Sequence, residues 1–172
     1  MLMLDQNVVK LLNDQVNKEF YSAYLYLDMA NYYADKSLDG FANWFRIQAQ
    51  EERDHAMLFV TYLQNNGESV KLGAIAAPDK EFQTLKDPLT AALAHEQFVT
   101  ASIHEIYHAA SDGKDYRTLQ FLDWFVKEQG EEEKNTEDLV KRFELFGEDA
   151  KSLYMLDSEL AARVYAAPSL VL

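Results

Sequence analysis

The sequence contains no cysteine. Disulfide scaffolds, thiolate zinc sites, iron–sulfur clusters and rubredoxin-type centres are therefore excluded, since each needs sulfur. Punctuation is sparse as well: six glycines and three prolines in 172 residues. No segment shows strand alternation bounded by turns. No apolar run approaches the ~20 residues of a membrane span, and the stretch from Met1 to Lys10 is broken by Asp5 and Lys10, which leaves no signal-peptide apolar core. Positive charge is scarce, with 16 basic residues against 29 acidic ones and a formal net charge of −13. This balance argues against nucleic acid and anionic membrane as partners and favours cations. A soluble cytoplasmic protein is the expectation.

What is present indicates a single globular domain spanning 1–172. Hydrophobic residues make up 48% and aromatic residues 13%, too many for a disordered chain. The length allows one sizeable core but not two. From the cap candidate Asp5, Val8, Leu11, Leu12, Val16, Phe20, Ala23 and Leu27 recur at helical spacing, predicting a helix to about Asp35. A second is expected from Asp39, through Phe41, Trp44, Phe45, Leu58, Phe59 and Tyr62, with Gly67 past its end. A third opens at Asp87-Pro88, read as a cap followed by proline at the first helical position, and stops at Gly113. The fourth runs from about Asp115 to Phe146, before Gly147, and a shorter fifth spans roughly Asp149 to Tyr165. The fold class is all-α: a four-helix bundle over about 5–146 plus a short C-terminal helix.

The connections differ in length. Residues 67–87 carry no helical pattern and exceed the ~12–15 residues of an ordinary loop. Helices of ~28 residues are ~42 Å long, and an extended segment of ~20 residues reaches ~65 Å. The long segment can therefore cross from one end of the bundle to the other.

Each long helix carries an acidic residue among apolar ones. Glu19 shares a face with Leu12, Val16, Ala23 and Tyr26, and Glu52 and His55 lie among Phe45, Ala49, Ala56 and Phe59. Glu96 lies with Leu89, Ala92, Leu93, Val99 and Ile103, and Glu132 with Phe125 and Leu139. A charge on an apolar stripe is costly unless paired. The spacing supplies a common explanation. Glu52 follows Glu19 by 33 residues and His55 comes three later; Gln129 follows Glu96 by 33 and Glu132 comes three later. The second half repeats the first, and a duplicated hairpin places these side chains at one level of the interior.

Four carboxylates so close repel one another unless cations intervene. Two divalent cations offset Glu19, Glu52, Glu96 and Glu132, with Glu52 as bridge, Glu19 and His55 on one ion, and Glu96 and Glu132 on the other. Mostly carboxylate oxygen with one imidazole suits iron or manganese, is too hard for copper or structural zinc, and does not suit calcium. Glu51, Glu128 and Glu131 flank this face and form a candidate third cation site. Tyr26 is either a redox-active neighbour of the centre or a core aromatic. Glu105 and His108 repeat the Glu-x-x-His spacing, but Glu105 lies nine residues past Glu96, on the opposite side of the helix, and His95 and His104 read as surface or helix-end residues. Gly130, inside the fourth helix, suggests a kink or a tight approach beside the metals. Two other readings stay open on spacing alone: a peroxide-disproportionating di-metal enzyme, and a metal-free bundle whose acidic residues face a partner.

Three stretches carry a family resemblance across essentially the whole chain: Glu19-Phe20-Tyr21-Ser22-Ala23-Tyr24-Leu25-Tyr26, Gln50-Glu51-Glu52-Arg53-Asp54-His55 and Glu128-Gln129-Gly130-Glu131-Glu132-Glu133. They resemble the ferritin family, and specifically its haem-free bacterial members. In bacterioferritins the fourth helix has its own Glu-x-x-His; here that slot reads Gln129-x-x-Glu132. A haem-binding methionine would stand where Arg53 stands, so no haem is expected. Miniferritins place iron at a subunit interface and lack the terminal helix, which fits poorly.

The resemblance implies a ferritin-like bundle, a di-iron centre with Gln129 among its metal-site residues, and ferroxidase activity. Fe(II) would be oxidised with dioxygen or hydrogen peroxide and stored as ferric oxide in a 24-subunit shell. It also implies that Glu51, Glu128 and Glu131, with Glu132 shared, hold a third iron.

Overall fold

A computed structural model describes residues 4–172; the first three residues of the Met1–Lys10 stretch lie outside the described residues. Five helices follow one another: α1 (Gln6–Ala34), α2 (Asp39–Asn65), α3 (Asp87–Asp112), α4 (Tyr116–Phe146) and α5 (Ala150–Leu160). No strand occurs among the described residues, and none of the helices is long and apolar enough to cross a membrane.

The helix starts are fixed by side-chain caps in three cases. Asp5 accepts from the amides of Asn7 and Val8, Asp115 from Thr118, and Asp149 from Ser152, each satisfying donors with no partner inside the first turn. α3 starts differently from the expectation. Asp87 is its first residue rather than its cap, and its carboxylate turns back to accept from the amides of Gln83 and Thr84. α2 has no local side-chain cap, but the carboxylate of Asp157 on α5 accepts from the Phe41 amide at 3.0 Å.

α1 and α2 run antiparallel, and so do α3 and α4. The hairpins meet along α1 against α3 and α2 against α4, bringing Lys18 to Ser102 and Tyr62 to Thr118. The connection between α2 and α3 is extended and tracks α1 for nearly its full length. Asn13 pairs with Ser69 and Lys71, Asn17 with Ala74, and Tyr33 with Leu85. This is the long crossover the sequence requires.

Apolar packing forms two clusters at opposite ends of the bundle. One gathers Val8, Leu12, Val16, Phe59, Leu63, Ile103, Leu122 and Phe125; the other gathers Leu25, Met29, Tyr33, Phe41, Phe45, Leu89, Leu139 and Leu156. Between them lies a buried polar belt of Gln15, Glu19, Ser22, Gln48, Glu52, His55, His95, Glu96, Gln129, Glu132 and Thr136.

The fifth helix ends at Leu160, five residues before the expected end. The Asn43 amide donates to the carbonyls of Leu160, Ala161 and Arg163, satisfying groups that a continuing helix would have bonded internally. After a turn at 161–162, the remaining residues form a strap without helix or strand over α2 and α4.

Two glycines have opposite roles. A Cβ on Gly40 would lie 1.7 Å from the carbonyl oxygen of Asp157, so α5 can dock only on a bare backbone. Gly40→Ala is expected to dislodge α5, cost about 1–3 kcal/mol as overpacking does, and make residues 150–172 sensitive to limited proteolysis. Gly130, by contrast, lies in an unbroken helix with no atom within 4 Å of an added Cβ. It marks no close approach, which corrects that part of the sequence expectation. Gly130→Ala is expected to stabilise the protein by roughly 0.5–1 kcal/mol in urea unfolding.

Candidate metal centre

The buried belt brings Glu19, Glu52, His55, Glu96, Gln129 and Glu132 together, each between 1% and 4% exposed. α1 supplies Glu19, α2 supplies Glu52 and His55 one helical turn apart, α3 supplies Glu96, and α4 supplies Gln129 and Glu132. Their common depth follows from the repeated 33-residue interval.

One half of the centre is assembled as a ligand set. One ligand atom from each of Glu19, Glu52 and His55 lies within 4.8 Å of the others, and His55 Nδ1 stands 3.5 Å from Glu52 Oε2. Gln15 donates to Glu19 Oε1 at 2.8 Å, while Glu19 Oε2 is buried with no hydrogen-bond partner. An unpartnered carboxylate oxygen beside an imidazole and a second carboxylate fits a first-row divalent cation.

The other half is held by hydrogen bonds. Gln129 donates to Glu96 Oε2 at 3.1 Å, and the Tyr26 hydroxyl donates to Glu96 Oε1. Gln48 donates to Glu132 Oε2 at 2.8 Å and to Glu52 Oε1 at 3.2 Å. Gln48 thus ties Glu52 of the first half to Glu132 of the second. Tyr26 is fully buried and bound directly to a site carboxylate, which places it at the centre and in the core at once.

The electrostatics follow from burial. Desolvation, then the Glu52 charge, raises Glu19 well above the usual carboxylate range. Desolvation, then Glu96 and Glu132, does the same to Glu52. Glu96 is raised by burial, against the pull of the Tyr26 and Gln129 hydrogen bonds. Burial and then Glu96 push Glu132 to about 8. Tyr26 is raised as well, by burial first and then by Glu96. Without cations the belt therefore holds protons, and cations would displace them.

The flanking acidic residues are not gathered in the same way. Glu51 is half-buried and bound by Arg163 at 2.5 Å, Glu128 is half-buried, and Glu131 is exposed, 3.7 Å from Lys127. Among the described residues, Glu19, Glu52 and His55 are the group whose atoms converge on one metal position. Glu105, His104 and His108 are exposed, as expected.

His95 departs from the expectation. It is buried, 2.7 Å from Ser22 Oγ, edge-on to Tyr26, and held by burial at a pKa of about 4. Ser22 and the aromatic residues of α1 create that environment, and no spacing within α3 announces them. The sequence reading also missed Gln15, Gln48 and Arg163. The two glutamines carried a signal: they lie 33 residues apart, each four before Glu19 or Glu52. Arg163 carried none.

Residues 9–146 match the family model of the ferritin-like domain. A bacterial non-heme ferritin of Campylobacter jejuni is 41% identical, over 90% of this chain and 93% of its own. A probable bacterial non-heme ferritin-like protein of Haemophilus influenzae is 39% identical, over 92% and 96%. Among solved structures, a closed form of the Archaeoglobus fulgidus ferritin superposes with a TM-score of 0.92 at 42% identity, covering 95% of this chain and 99% of that one. An open-pore ferritin from the same archaeon gives 0.91, also at 42% identity, covering 94% and 98%.

Proposed function

The chain belongs to the ferritin family, and on that premise we propose that it stores and detoxifies iron by oxidising Fe(II) at the buried belt. The carrying observation is the Glu19, Glu52 and His55 cluster, joined from Glu52 through the Gln48 amide to Glu132. Two Fe(II) are the substrates, one held by Glu19, Glu52 and His55, the other by Glu52, Glu96 and Glu132 with Gln129 beside them. Binding exchanges protons on the raised carboxylates for metal charge. The anionic oxygen set favours the harder Fe(III), which makes electron loss easier. The two electrons, one from each Fe(II), reduce dioxygen with two protons to hydrogen peroxide, or peroxide with two protons to two waters. Tyr26, bound to Glu96, keeps that carboxylate oriented.

Fe(III) then leaves for mineral storage in a shell, for which the family suggests 24 subunits, in the cytoplasm. The α1–α2 face exposes Tyr24, Leu27 and Ile75 around a groove of about 530 Å³, apolar surface that self-association would cover. A third cation at Glu51, Glu128 and Glu131 belongs to the same reading and would compete with Arg163 for Glu51.

Anaerobic Fe(II) titration of the metal-free protein, followed by air and sizing of the particle, tests this reading. Two or three Fe(II) per subunit, rapid oxidation and a shell-sized particle are expected. Absence of stoichiometric Fe(II) binding by folded protein would remove the di-iron centre.

A further inference from the structure

Two side chains beside the centre, Gln48 and Arg163, belong to neither half of the ligand set. Arg163 lies three residues past the end of α5, on the strap. Its guanidinium donates through Nη1 to the Trp44 carbonyl and to Gln48 Oε1, both at 3.1 Å. Nη2 donates to Gln48 Oε1 at 3.1 Å and to Glu51 Oε2 at 2.5 Å. The group also lies over the Trp44 ring, 4.6 Å from its centroid.

A guanidinium has donors and no acceptor. Gln48, fully buried, must therefore turn its carbonyl oxygen toward Arg163. Its NH₂ group then points the other way, to Glu132 Oε2 and Glu52 Oε1. The reverse orientation would set amide donors against Arg163 and a carbonyl oxygen against two carboxylates. Arg163 thus decides which end of Gln48 the metal-site carboxylates meet.

The strap that carries Arg163 is pinned along its length. Asn43 holds its first carbonyls, Tyr165 donates to Asp54, Trp124 donates to Ser169, and Leu170 packs on the apolar cluster below the centre. Arg163 is therefore held in place by contacts independent of Gln48.

We propose that Arg163 is a positioning residue for the second half of the centre: through the Gln48 amide, it holds Glu132 and the bridging Glu52 in the orientation that takes the second divalent cation. The inference rests on the two-cation reading above. Partners that orient metal ligands commonly change affinity by about 10–100-fold when removed. Because coupling is reciprocal, filling the second position must also tighten the strap.

Anaerobic Co(II) titration of the full-length metal-free protein, followed by visible absorption and calorimetry, reads both positions without oxidation. The unsubstituted protein should show at least two steps per subunit. Arg163→Met should weaken the second by about 10-fold or more and the first, whose Glu19 and His55 ligands Gln48 does not touch, by clearly less. In a Gln48→Leu background, Arg163→Met should add no further loss. An additive loss would overturn the route through Gln48, and an unchanged second step in the single variant would overturn the role altogether. If the unsubstituted protein lacks two steps, the two-cation reading fails and takes this inference with it. Hydrogen exchange of residues 161–170 in the unsubstituted protein needs no variant. Protection should rise as the second step fills, and exchange indifferent to Co(II) would count against the proposal.

Discussion

Glu52→Gln is expected to lower the initial rate of Fe(II) oxidation by about 100-fold or more, since even partners that merely orient metal ligands are worth 10–100-fold. Glu52 is linked to both halves of the centre, on one side directly and on the other through Gln48. It lies beside Glu19 and His55 and shares the Gln48 amide with Glu132. Glutamine keeps the volume and leaves no cavity, so lost packing cannot explain the result. It removes the charge and one anionic oxygen that either cation would use. The metal-free variant should melt no earlier than the unsubstituted protein, because glutamine stands in for the protonated carboxyl that burial favours at this position. Stopped-flow oxidation and calorimetry of the metal-free proteins check the two halves of this expectation. A rate within a few-fold of the unsubstituted protein would move the chemistry away from the belt.

Most of this arrangement was legible because it repeats. Apolar residues at helical spacing set four long helices. Asp5, Asp115 and Asp149 marked the starts of three helices, and Gly113 and Gly147 the ends of two. The 33-residue intervals placed Glu19 level with Glu52, and Glu96 level with Gln129, before any coordinates. What was not legible depends on partners distant in sequence. The burial of His95 is decided by Ser22 and Tyr26 on α1. The end of α5 is decided by Asn43, and the setting of Gln48 by Arg163, 115 residues away. The expected close approach at Gly130 failed for a local reason: glycine lowers helix propensity whether or not anything approaches it, so residue type alone does not mark a contact.

The same buried carboxylates dictate an unusual pH dependence for the metal-free protein: its stability should fall as pH rises from about 6.5 to about 8. Glu132 on α4 faces Gln48, Glu51, Glu52 and His55 from α2 and Glu96 from α3, with Arg163 of the strap beyond Gln48. Burial and Glu96 raise it to about 8. Between the ordinary carboxylate range and that value, the folded state keeps a proton that the unfolded state has lost. Stability therefore declines with rising pH, by up to about 1.4 kcal/mol per pH unit for each such group. Glu19, Glu52 and Glu96 are shifted in the same direction and act with it. His95 works the other way. Its folded value of about 4 lies below the ordinary 6.5, so it adds stability as pH rises to about 6.5 and nothing beyond. Above that point the carboxylates act unopposed. Divalent cations should reverse the slope, because they bind the ionised folded state, release its protons and stabilise it by mass action. Thermal midpoints from pH 6 to 8.5 in chelator and in Co(II) would show the two slopes crossing, and Glu132→Gln should flatten the chelator curve. Parallel curves with and without Co(II) would mean that these carboxylates do not meet the metal.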